Sequence, residues 1–274
     1  MVGPAAKREA VTHLKVTMGL SERRACQIIS ADRKTVRYRS SRPPELELRA
    51  KLRDLANERR RFGYRRLFVL LRRDGEPSGV NRIYRLYREE GLSVRKRKAR
   101  RRAVGTRAPI LVEAKANARW SLDFVHDQFA CGRRFRVLNV VDDVTRECLA
   151  AIPDTSISGR RVARELTTLV ERRGKPGMIV SDNGSAYTAR DTRLFAQALN
   201  LTPCFTPVAS PQSNGMSEAF VKTLKRDYIR ISALPDAETA LRLIDGWIED
   251  YNEIHPHSAL KMASPRQFIR AKSI

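Results

Sequence analysis

Cysteine is scarce and scattered. The four thiols, Cys26, Cys131, Cys148 and Cys204, include no C-x-x-C pair, which excludes a disulfide framework and a zinc knuckle and leaves them as small buried hydrophobes. No run of about 20 apolar residues occurs and the N-terminus carries no signal-peptide pattern, so neither a membrane span nor secretion is expected. Acidic residues are in short supply in one half only. Residues 1–110 hold 31 Lys and Arg against 11 Asp and Glu, a net +20, whereas residues 111–274 hold 23 against 19, a net +4. A basic half of this kind points to a phosphate-rich partner, because Lys and Arg release the counterions condensed on nucleic acid. An anionic membrane surface is the weaker alternative, since it ordinarily requires an apolar helical face or a lipid anchor as well.

With 42% hydrophobic and 31% charged residues over 274 positions, the chain has globular composition and room for two or three units. Residues 1–42 read as a helix-turn-helix-sized set of short helices, with Ser21 as an N-cap. Residues 43–94 read as a second helical region, broken at Gly63, Gly75, Gly79 and Gly91 and carrying two apolar stripes. One comprises Leu67, Val69, Leu70 and Leu71, and the other Ile83, Leu86 and Tyr87. In "VNRIYRLYREEG" the arginines Arg82, Arg85 and Arg88 are placed to face DNA if this is a recognition helix. The plainer alternative is a solvated basic face. The block "RKRKARRR", containing Arg95, Lys96, Arg97 and Lys98, repels itself; with the residues up to 110 it is expected to be an extended basic linker that follows a phosphate backbone.

From residue 111 to 274 the periodicity turns strand-like. "RWSLDFVHDQFA" alternates, setting Leu122, Phe124 and His126 on one face and Asp123, Val125 and Asp127 on the other. Two further strands complete an antiparallel meander. Helix, strand, helix, strand and a long helix then follow, so the expected fold is α/β, a mixed sheet flanked by helices and preceded by an all-α N-terminal region.

Three carboxylates stand out. Asp123 lies within the first strand, Asp182 ends the apolar run "GMIVSD" before an Asn183-Gly184 turn, and Glu218 opens the last long helix. A carboxylate in a core strand must be paired, hydrogen-bonded or metal-bound. Three acids converging without a His or Cys cluster suit a hard divalent cation, Mg²⁺ or Mn²⁺. At about 100° per residue, Glu218, Lys222 and Lys225 share one edge of their helix, while Phe220, Val221, Leu224, Tyr228 and Ile231 form the docking arc. The lysines would hold DNA phosphate. Asp142 and Asp143 are expected to cap a turn, His126 to be packed, and His255 and His257 to be loop residues that fix the C-terminal segment.

Asp123 in "WSLDFVHD", Asp182 in "VSDNGSAY" and Glu218 in "SPQSNGMSEAF", with 35 residues between the last two and Lys225 seven positions further on, resemble the D,D-35-E pattern of retroviral-integrase-like transposases. The likeness is nearest to the catalytic open-reading-frame B products of bacterial insertion sequences, and it extends through "FVKTLKRDYI", "YNEIHPHSAL" and "SPRQF". The resemblance implies an RNase H-like catalytic domain with a five-stranded mixed sheet, two-metal catalysis by Asp123, Asp182 and Glu218, and joining of a 3′-hydroxyl at the element end to target DNA. It also implies a homo-oligomer on DNA, a cytoplasmic and nucleoid-associated bacterial setting, and an upstream-frame product fused by frameshifting. Rival readings are a non-catalytic DNA-binding regulator derived from such an element and an RNA-cleaving hydrolase on the same fold.

Overall fold

The computed structural model describes residues 3–39, 43–94, 115–182, 185–201, 203–205, 215–232 and 234–272. The chain divides into two compact units, Met1–Leu48 and Arg49–Ile274. No helix among the described residues is long and apolar enough to cross a membrane.

The first unit holds α1 (Pro4–Met18), α2 (Glu22–Ile29) and α3 (Arg33–Arg37). Proline opens α1, where its missing N–H costs nothing, and Gly19 closes it in the left-handed region at φ +60°. The Ser21 hydroxyl accepts from the Arg24 N–H, as its position before α2 predicts, and the Asp32 carboxylate caps α3 in the same way. Val11, Ala25 and Cys26 form a small core with Leu14, Ile29 and Val36 around it.

In the second unit, α4 (Leu46–Glu58), α5 (Tyr64–Arg73) and α6 (Val80–Glu89) bring together both apolar stripes read from the sequence. Leu52, Leu67, Leu70, Leu71, Ile83, Leu86 and Tyr87 are buried, whereas Val69 is only half-buried. Arg49 of α4 pairs with Glu89 and Glu90, and Arg53 pairs with Glu90 at 3.0 Å, tying α4 to the end of α6.

The sheet that follows has five strands in the order β3-β2-β1-β4-β5, the mixed sheet expected from the sequence. Its strands are β1 (Arg119–Gln128), β2 (Arg134–Asp142), β3 (Cys148–Asp154), β4 (Met178–Ser181) and the three-residue edge strand β5 (Pro203–Phe205). The first three form the antiparallel meander, while β4 runs parallel to both β1 and β5. Alternation along β1 and β2 sends Trp120, Leu122, Leu138 and Val140 to one face. There they meet Val162, Leu166 and Leu169 of α7 (Gly159–Arg173) and Tyr187 of α8 (Ser185–Thr188). A Cβ at Gly159 would overlap the Ala189 methyl, so only glycine lets α7 start against the segment leading into α9 (Arg190–Ala198).

Val125, Val137 and Val141 point to the other face, against Phe220 and Leu224 of α10 (Gly215–Asp227) and Ile244 and Tyr251 of α11 (Ala237–Glu253). Complete burial of Leu224 contributes about 2 kcal/mol. The docking arc expected for α10 requires one correction. The helix stops at Asp227, and Tyr228, at φ −125° and ψ −64°, turns the chain into a 3₁₀ turn, Ile229–Ile231. Ile229 therefore enters the core and Ile231 is exposed, the reverse of a continuous helix.

The chain closes with α12 (Pro265–Lys272). The turn after α4 is anchored on the far end of this unit. Arg59 grips the Asp250 carboxylate with two hydrogen bonds of 2.6 and 2.7 Å, and the Tyr228 hydroxyl donates to the same carboxylate at 2.7 Å. Phe62 meets the edge of His255, and Arg73 donates to the carbonyls of Ile254 and Met262. His255 lies in the loop that follows α11, as expected, and is buried there as part of a charged and aromatic knot. Burial and the nearby guanidinium of Arg66 hold it neutral, well below the usual histidine range. His257 packs beside it at a ring separation of 4.9 Å.

Candidate active site

Asp123 sits at the middle of β1, directly opposite Asn139 of β2, on the face covered by α10. β1 pairs with β4 as Arg119 with Met178, Trp120 with Ile179 and Ser121 with Val180. Continuing that register by two residues sets Asp182 beside Asp123, because residues in parallel register point to the same side. Asp182 itself is exposed just past the end of β4. The turn through Asn183 and Gly184 lies outside the described residues. Glu218, in the first turn of α10, approaches from the helix laid across β1 and β2 by Phe220 and Leu224.

Electrostatics register this convergence. The Asp123 carboxyl is pushed up to about 6, first by burial and then by the fields of Asp182 and Glu218, against a lowering from the Phe124 N–H, which donates at 2.8 Å, and from Lys222. Lys222 offsets part of the negative charge through its ion pair with Glu218 at 2.6 Å. Among the described residues no group of three such side chains stands at metal-coordinating spacing. The three acids share one electrostatic site without being drawn together.

The donor chemistry nevertheless fits a hard cation. It is carboxylate oxygen with no thiol and no neutral imidazole among the three. Asn139 adds a second sign: fully buried on the Asp123 face, it donates from Nδ2 to the Val137 carbonyl at 3.0 Å, while its Oδ1 has no hydrogen-bond partner. A buried acceptor without a donor is suited by a cation or by water bound to one. Sequence reasoning passed over Asn139, although an amide inside the apolar run "VLNVV" is the kind of signal that marks such a position.

The remaining acids separate cleanly. Asp142 is buried and accepts from the N–H groups of Asn117, Val144 and Thr145 at 2.7, 2.8 and 2.9 Å, the turn-capping role expected for it. Asp143 pairs with Arg119 at 2.7 Å. Asp127 accepts from the Gln128 N–H at the end of β1. His126 departs from expectation. It is exposed rather than packed, because its face of the strand runs past the helical cover, and the slight desolvation that remains, together with Arg136 and Lys225, lowers its pKa. Lys225 donates to the His126 carbonyl at 2.6 Å, so this lysine lies along β1 near the carboxylates. Cys131 is likewise exposed, in the turn between β1 and β2, while Cys26 and Cys148 are buried as expected.

The basic residues of α6 fall on two flanks. Arg85 bonds to Glu89, itself paired with Arg49, so that flank is neutralised within the protein. Arg82 is exposed and its charge is felt by Glu76. On the other flank Tyr84 and Arg88 are exposed, and Tyr84 packs on Tyr64 at a ring separation of 4.6 Å, beside Arg65. Tyr64 and Tyr84 are absent from the sequence-based set. Arg95, Lys96, Arg97 and Lys98, with the rest of the basic linker, lie outside the described residues.

A mixed sheet in this strand order, helices on both faces, and acids on β1, at the end of β4 and on the helix crossing β1 define an RNase H-like fold with an integrase-type arrangement. Residues 113–211 match the integrase core domain family, residues 199–265 match a second integrase core domain family, and residues 44–100 match an HTH-like domain. A protein of insertion element IS407 from Burkholderia multivorans is 38% identical over 256 residues, covering 93% of this chain and 92% of the relative. Transposase InsD of insertion element IS2 from Escherichia coli is 36% identical over 249 residues, covering 86% and 82%. An IS136 protein from Agrobacterium fabrum is 68% identical over 170 residues, covering 58% and 86%. A chain of the simian T-cell lymphotropic virus intasome shares the fold, with a TM-score of 0.52 at 17% identity over 80% of this chain and 73% of that one. The chain belongs to the insertion-element transposases of the DDE integrase superfamily, polynucleotidyl transferases that act on DNA.

Proposed function

We propose that this transposase cuts the ends of its element and joins the freed 3′-hydroxyl to target DNA, with Asp123, Asp182 and Glu218 holding a pair of Mg²⁺ or Mn²⁺ ions. The observation that carries the reading is that the three carboxylates lie on one face of the sheet within reach of each other's fields, Asp182 and Glu218 each raising the cost of charging Asp123. When bound, such ions activate the attacking oxygen and neutralise the departing one in an in-line displacement at phosphorus. The protein's own contribution is placement. The β1 backbone fixes Asp123 through the Phe124 N–H, the parallel register of β4 brings Asp182 alongside, and α10 delivers Glu218. Lys222 and Lys225, on the same edge of α10, hold the phosphates on either side of the reacting bond.

Residues 43–94 read the element end, and the flank of α6 that faces DNA is the one carrying Tyr84 and Arg88. A guanidinium already paired with Glu89 has little counterion to release, whereas an exposed one has its full share. The basic segment 95–110 tracks the backbone between reader and active site, and the enzyme works as a homo-oligomer on DNA.

The test is a joining assay. Duplexes carrying the inverted repeats that flank the reading frame are incubated with the protein, Mg²⁺ or Mn²⁺ and a supercoiled plasmid. Covalent end-to-plasmid products are expected. Cleavage of the RNA strand of an RNA–DNA hybrid without any joining would assign the fold to hydrolysis instead, and binding without either reaction would mark a regulator.

A further inference from the structure

Among the described residues, neither apolar cluster on the sheet includes a side chain of α4, α5 or α6. Directional polar contacts join these helices to the catalytic part of the chain instead. The turn between α4 and α5 supplies Arg59, which closes on Asp250 of α11 at 2.6 and 2.7 Å, and Phe62, which stands edge-on to His255 at 5.0 Å. From α5, Arg66 lies 3.6 Å from Asp227 and 5.0 Å from the centre of the Phe62 ring. Arg73 donates to the carbonyls of Ile254 and Met262 at 2.5 and 2.8 Å. Asp227, Tyr228 and His255 are buried in this joint.

The joint meets the far end of the helix that carries Glu218. Asp227 is the last residue of α10 and Tyr228 follows it directly. The Tyr228 hydroxyl donates to Asp250 at 2.7 Å, so the carboxylate gripped by Arg59 is also tied to the end of α10. Between Glu218 and Asp227 lies about 14 Å of helix. The flank of α6 bearing Tyr84 and Arg88 is exposed in this docked arrangement, so the joint leaves the DNA-reading surface open. A buried ionic network contributes little stability beyond an apolar contact of equal size. What it adds is direction, because a bidentate guanidinium–carboxylate pair accepts only a narrow range of positions.

We propose that this joint is a specificity determinant of the cutting reaction: Arg59 with Asp250 and Tyr228, Arg66 with Asp227, and Arg73 with the Ile254 and Met262 carbonyls fix the offset along the DNA between the sequence that α6 contacts and the phosphate that is cut. The reader and the Glu218 helix then move as one body, and recognition at one place selects one phosphate at another. Successive phosphates of a strand are about 3.4 Å apart along the duplex axis, so a few ångströms of play in the joint bring a neighbouring phosphate to the carboxylates. This inference rests on residues 43–94 as the reader of the element end and on Asp123, Asp182 and Glu218 as the cutting site.

The experiment uses the full chain with end-labelled element-end duplexes in Mn²⁺ and maps the cut to the nucleotide. One or two base pairs are inserted between the element terminus and the base pairs whose footprint depends on Arg88. Wild type, Arg73→Ala, Arg59→Gln and Arg88→Ala are compared, with melting temperature and end-DNA affinity measured for each. The wild-type cut is expected to keep its offset from the footprint and so to move by the number of base pairs inserted. Arg73→Ala and Arg59→Gln are expected to bind end DNA with wild-type affinity while their cuts spread over the neighbouring one or two phosphates. Arg73 is exposed, so its substitution spares the core and carries the test if Arg59→Gln folds poorly. A wild-type cut that stays at the terminus whatever is inserted would overturn the proposal. So would joint variants that cut at the single wild-type phosphate, whatever their rate or melting temperature, the pattern of a joint that only stabilises the fold. Arg88→Ala separates the two levels. If it leaves affinity and footprint unchanged, the reader assignment and this proposal fall together; if it weakens both while the joint variants keep a single cut, only this proposal falls.

Discussion

Asp123→Asn is expected to stabilise the metal-free protein at neutral pH while abolishing its activity. The fold raises the Asp123 carboxyl from an ordinary 3.8 to about 6, which at about 1.4 kcal/mol per pH unit corresponds to roughly 3 kcal/mol. The group is half-buried rather than enclosed, so solvent screening reduces this to about 1–2 kcal/mol. The sign follows from the raised value. The folded state holds its proton more tightly than the unfolded chain, so stability is complete below about pH 4 and is lost as the pH climbs through about 6. Asparagine does not titrate and escapes the loss. In chelator at pH 7.5 the variant should therefore melt a few degrees above wild type, at about 2–4 °C per kcal/mol for a unit of this size, and the gap should close as the pH is lowered toward 4.5. Added Mn²⁺ should raise the wild-type melting temperature and leave the variant nearly unmoved, reversing their order. Thermal melts across this pH range, with and without Mn²⁺, make the check. A variant less stable than wild type at pH 7.5 in chelator, or a gap that ignores pH, would refute the reasoning.

Two other perturbations probe the parts that hold the site and bring DNA to it. Asp250→Ala takes from the Arg59 guanidinium its bidentate partner, leaving it only the exposed Glu58 at 3.1 Å, and removes the acceptor of the Tyr228 hydroxyl; a loss of about 3 kcal/mol is expected from the urea midpoint, because the largely buried ion pair is broken. Arg88→Ala should weaken binding to element-end duplex and lower the slope of log affinity against log salt by about one, while Arg85→Ala, whose charge is already taken up by Glu89, should change that slope little. Equal slopes for the two variants in a titration by anisotropy would remove the distinction between the flanks of α6.

Local periodicity made much of the fold legible. The alternation in "RWSLDFVHD" placed Asp123 and Val125 on the face that α10 covers, and the helical arc of Phe220 and Leu224 identified the side of α10 that docks. Ser21 as an N-cap and the turn-capping role of Asp142 were readable because their partners lie two or three residues away. Where the deciding partner is distant, the pattern fell silent. Nothing near Arg59 announces Asp250, 191 residues later, and the burial of His255 within its loop was not readable because the knot around it draws on Phe62, Tyr228 and Tyr251. Ile231 fitted the helical arc only while the helix was taken to continue past Asp227. His126 was expected to pack because its strand face is apolar, but that face loses its cover toward the strand's end. The acids at 123, 182 and 218 were found by chemistry and spacing; their shared field is a property of the folded sheet alone.

The central claim is that Asp123, Asp182 and Glu218 act together as the metal-binding catalytic set. Asp182→Asn tests it most directly, because this residue is exposed at the end of β4 and its substitution leaves the core untouched. With folding verified by its melting temperature and end-DNA binding unchanged, the variant should form no joined product above background in Mg²⁺ or Mn²⁺. Full strand transfer by correctly folded Asp182→Asn would contradict the account.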